Sequence, residues 1–202
     1  MHYSDDQIEI HKLVVVPYDN NVFVMRCVAT GDAVLLDAAN EHEKLLELCQ
    51  RLNVRKVLET HGHWDHIQAV PQVRDAGYEV GVTAEDAKML PSYDFVIEDD
   101  SVIQVGNVRL HTIHTPGHTP GSMCFLVEGS PVLFSGDTLF PGGPGATKFE
   151  GSSFPTINSH RRSGVTFNCS SVPSSFSRTM AIAARFAVTR SSRSASTPGI
   201  MK

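Results

Sequence analysis

Six consecutive residues constrain this chain more than any other feature. His61-Gly62-His63-Trp64-Asp65-His66 sets three imidazoles and a carboxylate directly after the apolar run Val54–Glu59, which reads as a short buried strand. In a loop leaving a strand, positions i and i+2 point into one space, and i+4 and i+5 continue around it. Imidazole nitrogen and carboxylate oxygen suit zinc and similar divalent ions. A polar turn that collects histidines by chance is the plain alternative, and three histidines plus an aspartate in six residues weigh against it. Two later segments fit the same need. Thr115-Pro116-Gly117-His118-Thr119-Pro120-Gly121-Ser122 holds a histidine between two Pro-Gly turns, and Ser135-Gly136-Asp137-Thr138 puts an aspartate at a strand end. Strand ends on a rigid scaffold are where loops present ligands. The fold must therefore bring several strand ends to one rim.

The periodicity around these segments predicts such a scaffold. Strands are expected at Ile8–Val16, Val22–Ala29 and Ala33–Asp37, then a helix over Glu41–Leu52 with Leu45, Leu46, Leu48 and Leu52 at helical spacing. A helix follows from about His66 to Ala76, a strand at Tyr78–Val82 and a short helix at Thr83–Leu90. Hairpins are expected about Gly106-Asn107 and Gly129-Ser130. Alternating strands and helices mixed with hairpins give an α/β chain with helices outside a layered sheet core.

With 202 residues, 41% of them hydrophobic, and mean hydropathy −0.10, one compact domain is expected. No apolar run approaches a membrane span, and the acid-bearing start Met1–Asp6 does not read as a signal peptide. Cys27, Cys49, Cys124 and Cys169 lie far apart and read as reduced thiols of a cytoplasmic protein. Membrane, secreted-scaffold and repeat classes are thereby excluded, leaving a soluble enzyme in front.

The three segments together resemble the metallo-β-lactamase-fold hydrolases. His61-Gly-His63-Trp-Asp65-His66 matches their HxHxDH hallmark, and the His118 and Gly136-Asp137-Thr-Leu-Phe segments match the next two motifs in order. Leu35-Leu36-Asp37-Ala38 is similar to the family's early strand-end aspartate. The likeness spans roughly residues 8–157. It implies a four-layer αββα sandwich with two divalent metal ions, zinc first with iron or manganese as options, at one edge of the sheets. By that match His61, His63 and His118 hold one metal, while Asp65, His66 and a bridging Asp137 hold the other. Asp65 is also the expected catalytic group, orienting a metal-activated hydroxide and shuttling its proton. Asp37 is expected to fix an imidazole from behind. His2, His11, His42, His111, His114 and His160 are expected to stay off the metals, while Trp64 and Phe140 are candidates for the pocket wall.

The C-terminal fifth departs from the family. Residues 1–157 carry all 22 acids against 10 Lys and Arg, a formal charge of −12, whereas 158–202 carry no acid, 7 Lys and Arg and 11 serines. The family's last ligand, a histidine some 40 residues after the bridging aspartate, is absent; only His160 follows Asp137. A slipped reading frame beginning near residue 158 accounts for both facts. Joining each codon's third base to the next two forces a Leu at Asn168-Cys169 and a Gly at Met180-Ala181. An apolar run with Pro-x-His-Gly becomes readable, its histidine about 42 positions after Asp137. A genuine basic tail for nucleic acid or membrane would need lysine clusters, interleaved aromatics or an amphipathic pattern, and none is present. The division expected is therefore a metallo-β-lactamase-like domain over 1–157 and a disordered or non-native tail over 158–202, with the C-terminal part of the sandwich incomplete.

The resemblance is nearest the small thioesterase branch related to hydroxyacylglutathione hydrolases, so the expected activity is hydrolysis of a thioester or ester of a small molecule, without nucleic acid or membrane partners. Ile67-Gln68-Ala69-Val70 and Pro141–Gly145 depart from that branch's usual residues. A lactone or β-lactam hydrolase, a mononuclear iron enzyme of the persulfide dioxygenase kind using His61, His118 and Asp137, and an inactive pseudoenzyme are the alternatives.

Overall fold

The structure is a computed structural model and describes residues 1–140 and 143–158, with the backbone of 161–162 and 165–166. In the first half of the chain, β1 (Tyr3–Ser4), β2 (Ile8–Val15), β3 (Asn20–Cys27) and β4 (Ala33–Leu36) pair antiparallel in sequence. Helix α1 (His42–Leu52) carries the chain back, so β5 (Val54–Leu58) joins β4 in parallel, the crossover a parallel pair requires. After α2 (Trp64–Ile67) and α3 (Val70–Asp75), β6 (Glu79–Val82) and β7 (Phe95–Val96) extend the seven-stranded sheet in parallel. A second, antiparallel sheet follows from β8 (Val102–Val105), β9 (Val108–His114), β10 (Met123–Val127) and β11 (Leu133–Phe134), in spatial order β11-β10-β9-β8.

Side-chain alternation explains why these layers stack. On β3, Val22 and Val24 pack with Leu45, Leu48 and Val73 of the helices, while Phe23, Met25 and Cys27 face the other way. On β4, Ala33 and Leu35 join the helix side, and Val34 and Leu36 the opposite one. The second sheet meets that opposite side with Leu110, Met123, Phe125, Val127 and Phe134. A strand buried on both faces reads as a continuous apolar run, as β3 and β4 do. Each fully enclosed Phe or Leu there contributes about 1.5–3 kcal/mol. The result is a helix–sheet–sheet sandwich. Outside the second sheet, Cys124, Ile113 and Leu133 form a small third cluster. Among the described residues the one helix after that sheet is α4 (Phe154–Asn158). The expectations for the tail, for His160 and for Cys169 fall outside the described residues, save a backbone pairing of Arg161–Arg162 with Val165–Thr166.

Two expected helices are altered. The helix over His66–Ala76 is broken into α2 and α3, because the Gln68 and Ala69 amides donate to the Ala39 and Ala38 carbonyls. Pro71 then sits in the first turn of α3, where its missing N–H goes unnoticed. The helix over Thr83–Leu90 contracts to a 3-10 turn at Ala87–Met89. Pro91 disfavours helical geometry at Leu90, which is extended.

Candidate metal centre

Four chain segments meet at one edge of the two sheets. The first is the exit from β4, where Asp37 sits with φ +63°. The second is Glu59-Thr60-His61 leaving β5, continuing through His63 into α2. The third is the loop between β9 and β10, closed by Thr115 N–H donating to the Ser122 carbonyl at 2.7 Å. The fourth is the 3-10 turn Gly136–Thr138 after β11, which carries Asp137. The Met123 amide donates to the Thr60 carbonyl at 2.8 Å, stitching the second sheet to the end of β5.

These segments bring together five of the six residues singled out as ligands. His61, His63 and His118 form one group, and His61, His66 and Asp137 another, the potential ligand atoms within each lying within 4.8 Å of one another. His63 Nδ1 and His118 Nε2 are 2.9 Å apart. Asp137 reaches both groups, with Oδ1 3.5 Å from His66 Nε2 and Oδ2 3.5 Å from His118 Nε2. Asp65 stands slightly aside. Its Oδ2 is 3.8 Å from His66 Nε2 and 3.3 Å from the Asn20 amide nitrogen, which donates to it.

Hydrogen bonds behind the rings fix their tautomers. The Thr60 hydroxyl donates to Asp37 Oδ2 at 2.9 Å, so at 3.0 Å from His61 Nδ1 its oxygen accepts the ring proton. His61 Nε2 is left with a free lone pair. His118 Nδ1 donates to the Ala146 carbonyl at 2.7 Å, freeing its Nε2 in the same way. His66 Nδ1 meets Asp37 Oδ2 at 2.8 Å, and the Thr60 amide donates to Asp37 Oδ1 at 2.6 Å. Asp37 thus holds the position expected of it.

The titration behaviour of the two groups diverges. Burial, and then the nearby imidazoles, push His61 well below the ordinary histidine range. Burial and His118 bring His63 down to about 4. His66 is raised to about 9: burial opposes its charge, but the Asp37 hydrogen bond and the charges of Asp37, Asp137 and Asp65 outweigh it. Burial lifts Asp137 above the usual carboxylate range, against the pull of His66 and His118. Glu59, wholly enclosed beside Asp37, is held far above that range by burial and by the Asp37 charge.

Of five buried side-chain polar atoms without a hydrogen-bond partner among the described residues, two lie in this site, His61 Nε2 and Asp137 Oδ1. Leaving such atoms idle costs roughly 1–3 kcal/mol each. Both belong to the converging groups, and a divalent cation accepted by imidazole and carboxylate fits that deficit.

Other histidines lie elsewhere. His114 Nε2 meets the Pro120 carbonyl at 2.8 Å, His111 pairs with Glu128 at 2.5 Å, and His11 lies 3.8 Å from Glu9. Trp64 packs edge-on against Tyr18, ring centres 4.9 Å apart, and remains 57% exposed. The ring found against the imidazoles is Phe149, 4.9 Å from His63 and 5.9 Å from His118, rather than Phe140. Sequence reading passed over Phe149, Asn20, Glu59 and Asp86. An acid two residues before His61, as Glu59 is, was the one visible signal among them.

A profile described as the Metallo-beta-lactamase superfamily matches residues 15–167. A hydroxyacylglutathione hydrolase from Rhodospirillum rubrum is 34% identical over 158 residues, 77% of this chain and 60% of that protein. Hydroxyacylglutathione hydrolase GloC from Haemophilus influenzae is 30% identical over 153 residues, 65% of this chain and 72% of its own. The chain spans 60% of the first of these relatives and 49% of a hydroxyacylglutathione hydrolase-like protein from Gallus gallus. Among solved structures, the BLEG-1 B3 metallo-beta-lactamase superposes with TM-score 0.68 at 25% identity, over 74% of this chain and 81% of that one. ETHE1 from Myxococcus xanthus gives 0.66 at 25% identity, over 74% and 66%. A protein solved in a di-iron-bound form, TTHA1623, gives 0.64 at 25% identity, over 73% and 81%. Among the described residues no helix is long and apolar enough to cross a membrane.

Proposed function

The chain belongs to the metallo-β-lactamase superfamily, and from that premise we propose that residues 1–157 form a metal-dependent hydrolase cleaving a thioester or ester of a small molecule. The observation that carries the reading is the pair of buried atoms without a hydrogen bond, His61 Nε2 and Asp137 Oδ1, placed where two ligand groups share His61. The thioester preference rests on relatives named hydroxyacylglutathione hydrolase. Two divalent ions, zinc in first place and iron or manganese after it, would polarise a carbonyl oxygen and lower the pKa of an attacking water toward about 7.

The protein's own groups divide the remaining work. His61, His63 and His118 form one ligand set, and Asp65, His66 and Asp137 the other, with Asp137 spanning both. Asp37 and Thr60 hold His61 and His66 in fixed tautomers, as the partners behind metal-bound histidines do. Asp65, partly exposed and steadied by Asn20, orients the attacking water and takes its proton. Phe149 screens His63 and His118 from solvent on one side.

The proposal extends to the tail. Residues 158–202 are read as the product of a frame slip that removed the last histidine of the second ligand set. The test is metal content of the full chain by elemental analysis, followed by a panel of hydroxyacyl thioesters, lactones and β-lactams. Metal-dependent thioester cleavage is expected, weakened by the loss of that histidine. Turnover undiminished by chelation would overturn the reading, a preference for lactones or β-lactams would reassign the substrate, and oxygen consumption with iron would mark the iron-enzyme alternative.

A further inference from the structure

We infer that Asp86 is a positioning residue that sets the distance between the two loops bearing His61, His63 and His118. The inference rests on reading those histidines as one ligand set, and it concerns how the set is held. Asp86 lies in the turn between β6 and the 3-10 turn Ala87–Met89 and is fully buried. Its carboxylate reaches both loops. Oδ2 accepts from the Gly62 amide at 2.9 Å and from the Thr119 hydroxyl at 2.6 Å. Oδ1 accepts from the Gly121 amide at 2.8 Å. Gly62 lies between His61 and His63, and Thr119 follows His118, so one side chain is bonded one residue away from every member of the set.

The surroundings leave this side chain little freedom. Thr83 donates to the Gly121 carbonyl at 2.8 Å, adding a second tie from the same turn. Thr119 is itself fixed, its amide donating to Ser122 Oγ at 3.0 Å. The glycines are needed for close approach. A Cβ on Gly121 would lie 2.1 Å from Thr83 Oγ1 and 2.6 Å from Asp86 Cγ, and one on Gly62 would lie 2.8 Å from Met89 Cβ. Both loops therefore press their backbones directly onto the 83–89 segment. Each bond Asp86 makes is to a donor, two of them amides that can only donate, so the arrangement suits an ionised carboxylate. Its charge sits behind the three imidazoles without being a ligand. No corresponding bond runs from Asp86 to the turn that carries Asp137, so the clamp acts on the first ligand set alone.

Co(II) titration of the metal-free full chain, followed by its visible absorption, tests this. Asp86→Asn keeps the shape but turns one acceptor into a donor facing a donor. The affinity of the tightest cobalt should fall about 10–100-fold, as expected for a lost partner behind metal ligands. Thr119→Val removes one arm and should weaken cobalt binding a few-fold, while Thr119→Ser, which restores the hydroxyl, should bind as the parent does. The Thr119 pair keeps the test decisive should Asp86→Asn fail to fold. A role limited to stability would lower the melting temperature of the metal-free protein and leave cobalt affinity and spectrum unchanged in every folded variant; that result overturns the clamp. A parent chain that binds no cobalt overturns the ligand reading itself.

Discussion

The two halves of the site solve the crowding of buried polar groups in opposite ways. His61 and His63 stay neutral: burial and the neighbouring imidazoles hold both low, and the outer partners in this half are dipoles, the Thr60 hydroxyl behind His61 and the Ala146 carbonyl behind His118. His66 does the reverse. It keeps a proton up to about pH 9, enclosed by Asp37, Asp65 and Asp137. In the metal-free protein a proton therefore balances the second half, whereas the first half carries an idle lone pair. Metal binding must displace protons wherever ligands are protonated. The first half is thus ready at neutral pH and the second has to give up a proton first.

The widest effect is expected where the halves overlap. His61→Ala removes a ligand of the first set that also lies within 4.8 Å of the His66 and Asp137 ligand atoms and should reduce thioester turnover by at least about 10³-fold, through loss of the charge that stabilises the oxyanion. A variant keeping more than a tenth of parental turnover would show that the halves do not converge on His61. Restoring the alternative frame from residue 158 comes next. If the slip removed the closing histidine, the repaired chain should bind the second metal about 10–100-fold more tightly, read by elemental analysis after dialysis. Coding DNA whose other frame lacks His-Gly near residue 179, or meets stops, would sink the frame slip directly.

Asp37→Asn probes the second half directly and the first only through Thr60. Asp37 and His66 are both almost wholly enclosed, and breaking a buried ion pair leaves an unmatched charge costing about 3 kcal/mol. The metal-free melting temperature should drop by roughly 10 °C or more, while cobalt binding by the first half, which Asp37 reaches only through Thr60, should weaken less than binding by the second. Equal damage to both halves would mean that Asp37 is a general scaffold residue.

How much of this was readable beforehand depended on where the partners lie in sequence. The strands followed from β-branched runs, and the ligands from three compact motifs whose metal-binding residue types are legible in each segment by itself. Asp86 was invisible because two of its three partners are backbone amides, 24 and 35 residues away, and amides leave no mark in a sequence. The broken helix at Gln68–Ala69 has the same origin, since those amides are taken by carbonyls of the β4–α1 connection. Phe149 was passed over because its loop has no periodicity, whereas Phe140 drew notice only by standing near Asp137.

Acidity should separate the halves without mutation. His61 and His63 are held below the ordinary 6.5, so between pH 6.5 and about 4 the unfolded chain takes up protons that the folded one refuses. Their contribution is therefore lost on acidification. His66 is held above 6.5, so its contribution is complete below 6.5 and lost as pH rises through about 9. Thermal melts of the chelator-treated chain should give a dome with two limbs. Asp37→Asn should flatten the alkaline limb and spare the acid one; loss of both together would break the assignment.

The smallest effect is expected at the rim of the first half. Phe149 stands edge-on to His63 and near His118 while 45% exposed. Aromatic contacts of this kind contribute about 0.5–1.5 kcal/mol beyond burial, which converts to a change of roughly two- to tenfold. Phe149→Leu keeps an apolar cover but loses the ring edge. Because the ring meets imidazoles of one half, KM for the thioester should rise within that range, with kcat and cobalt affinity nearly unchanged. A fall in kcat with KM unchanged would place Phe149 in the chemistry instead, and would mean that the neutral half does more than hold its ion.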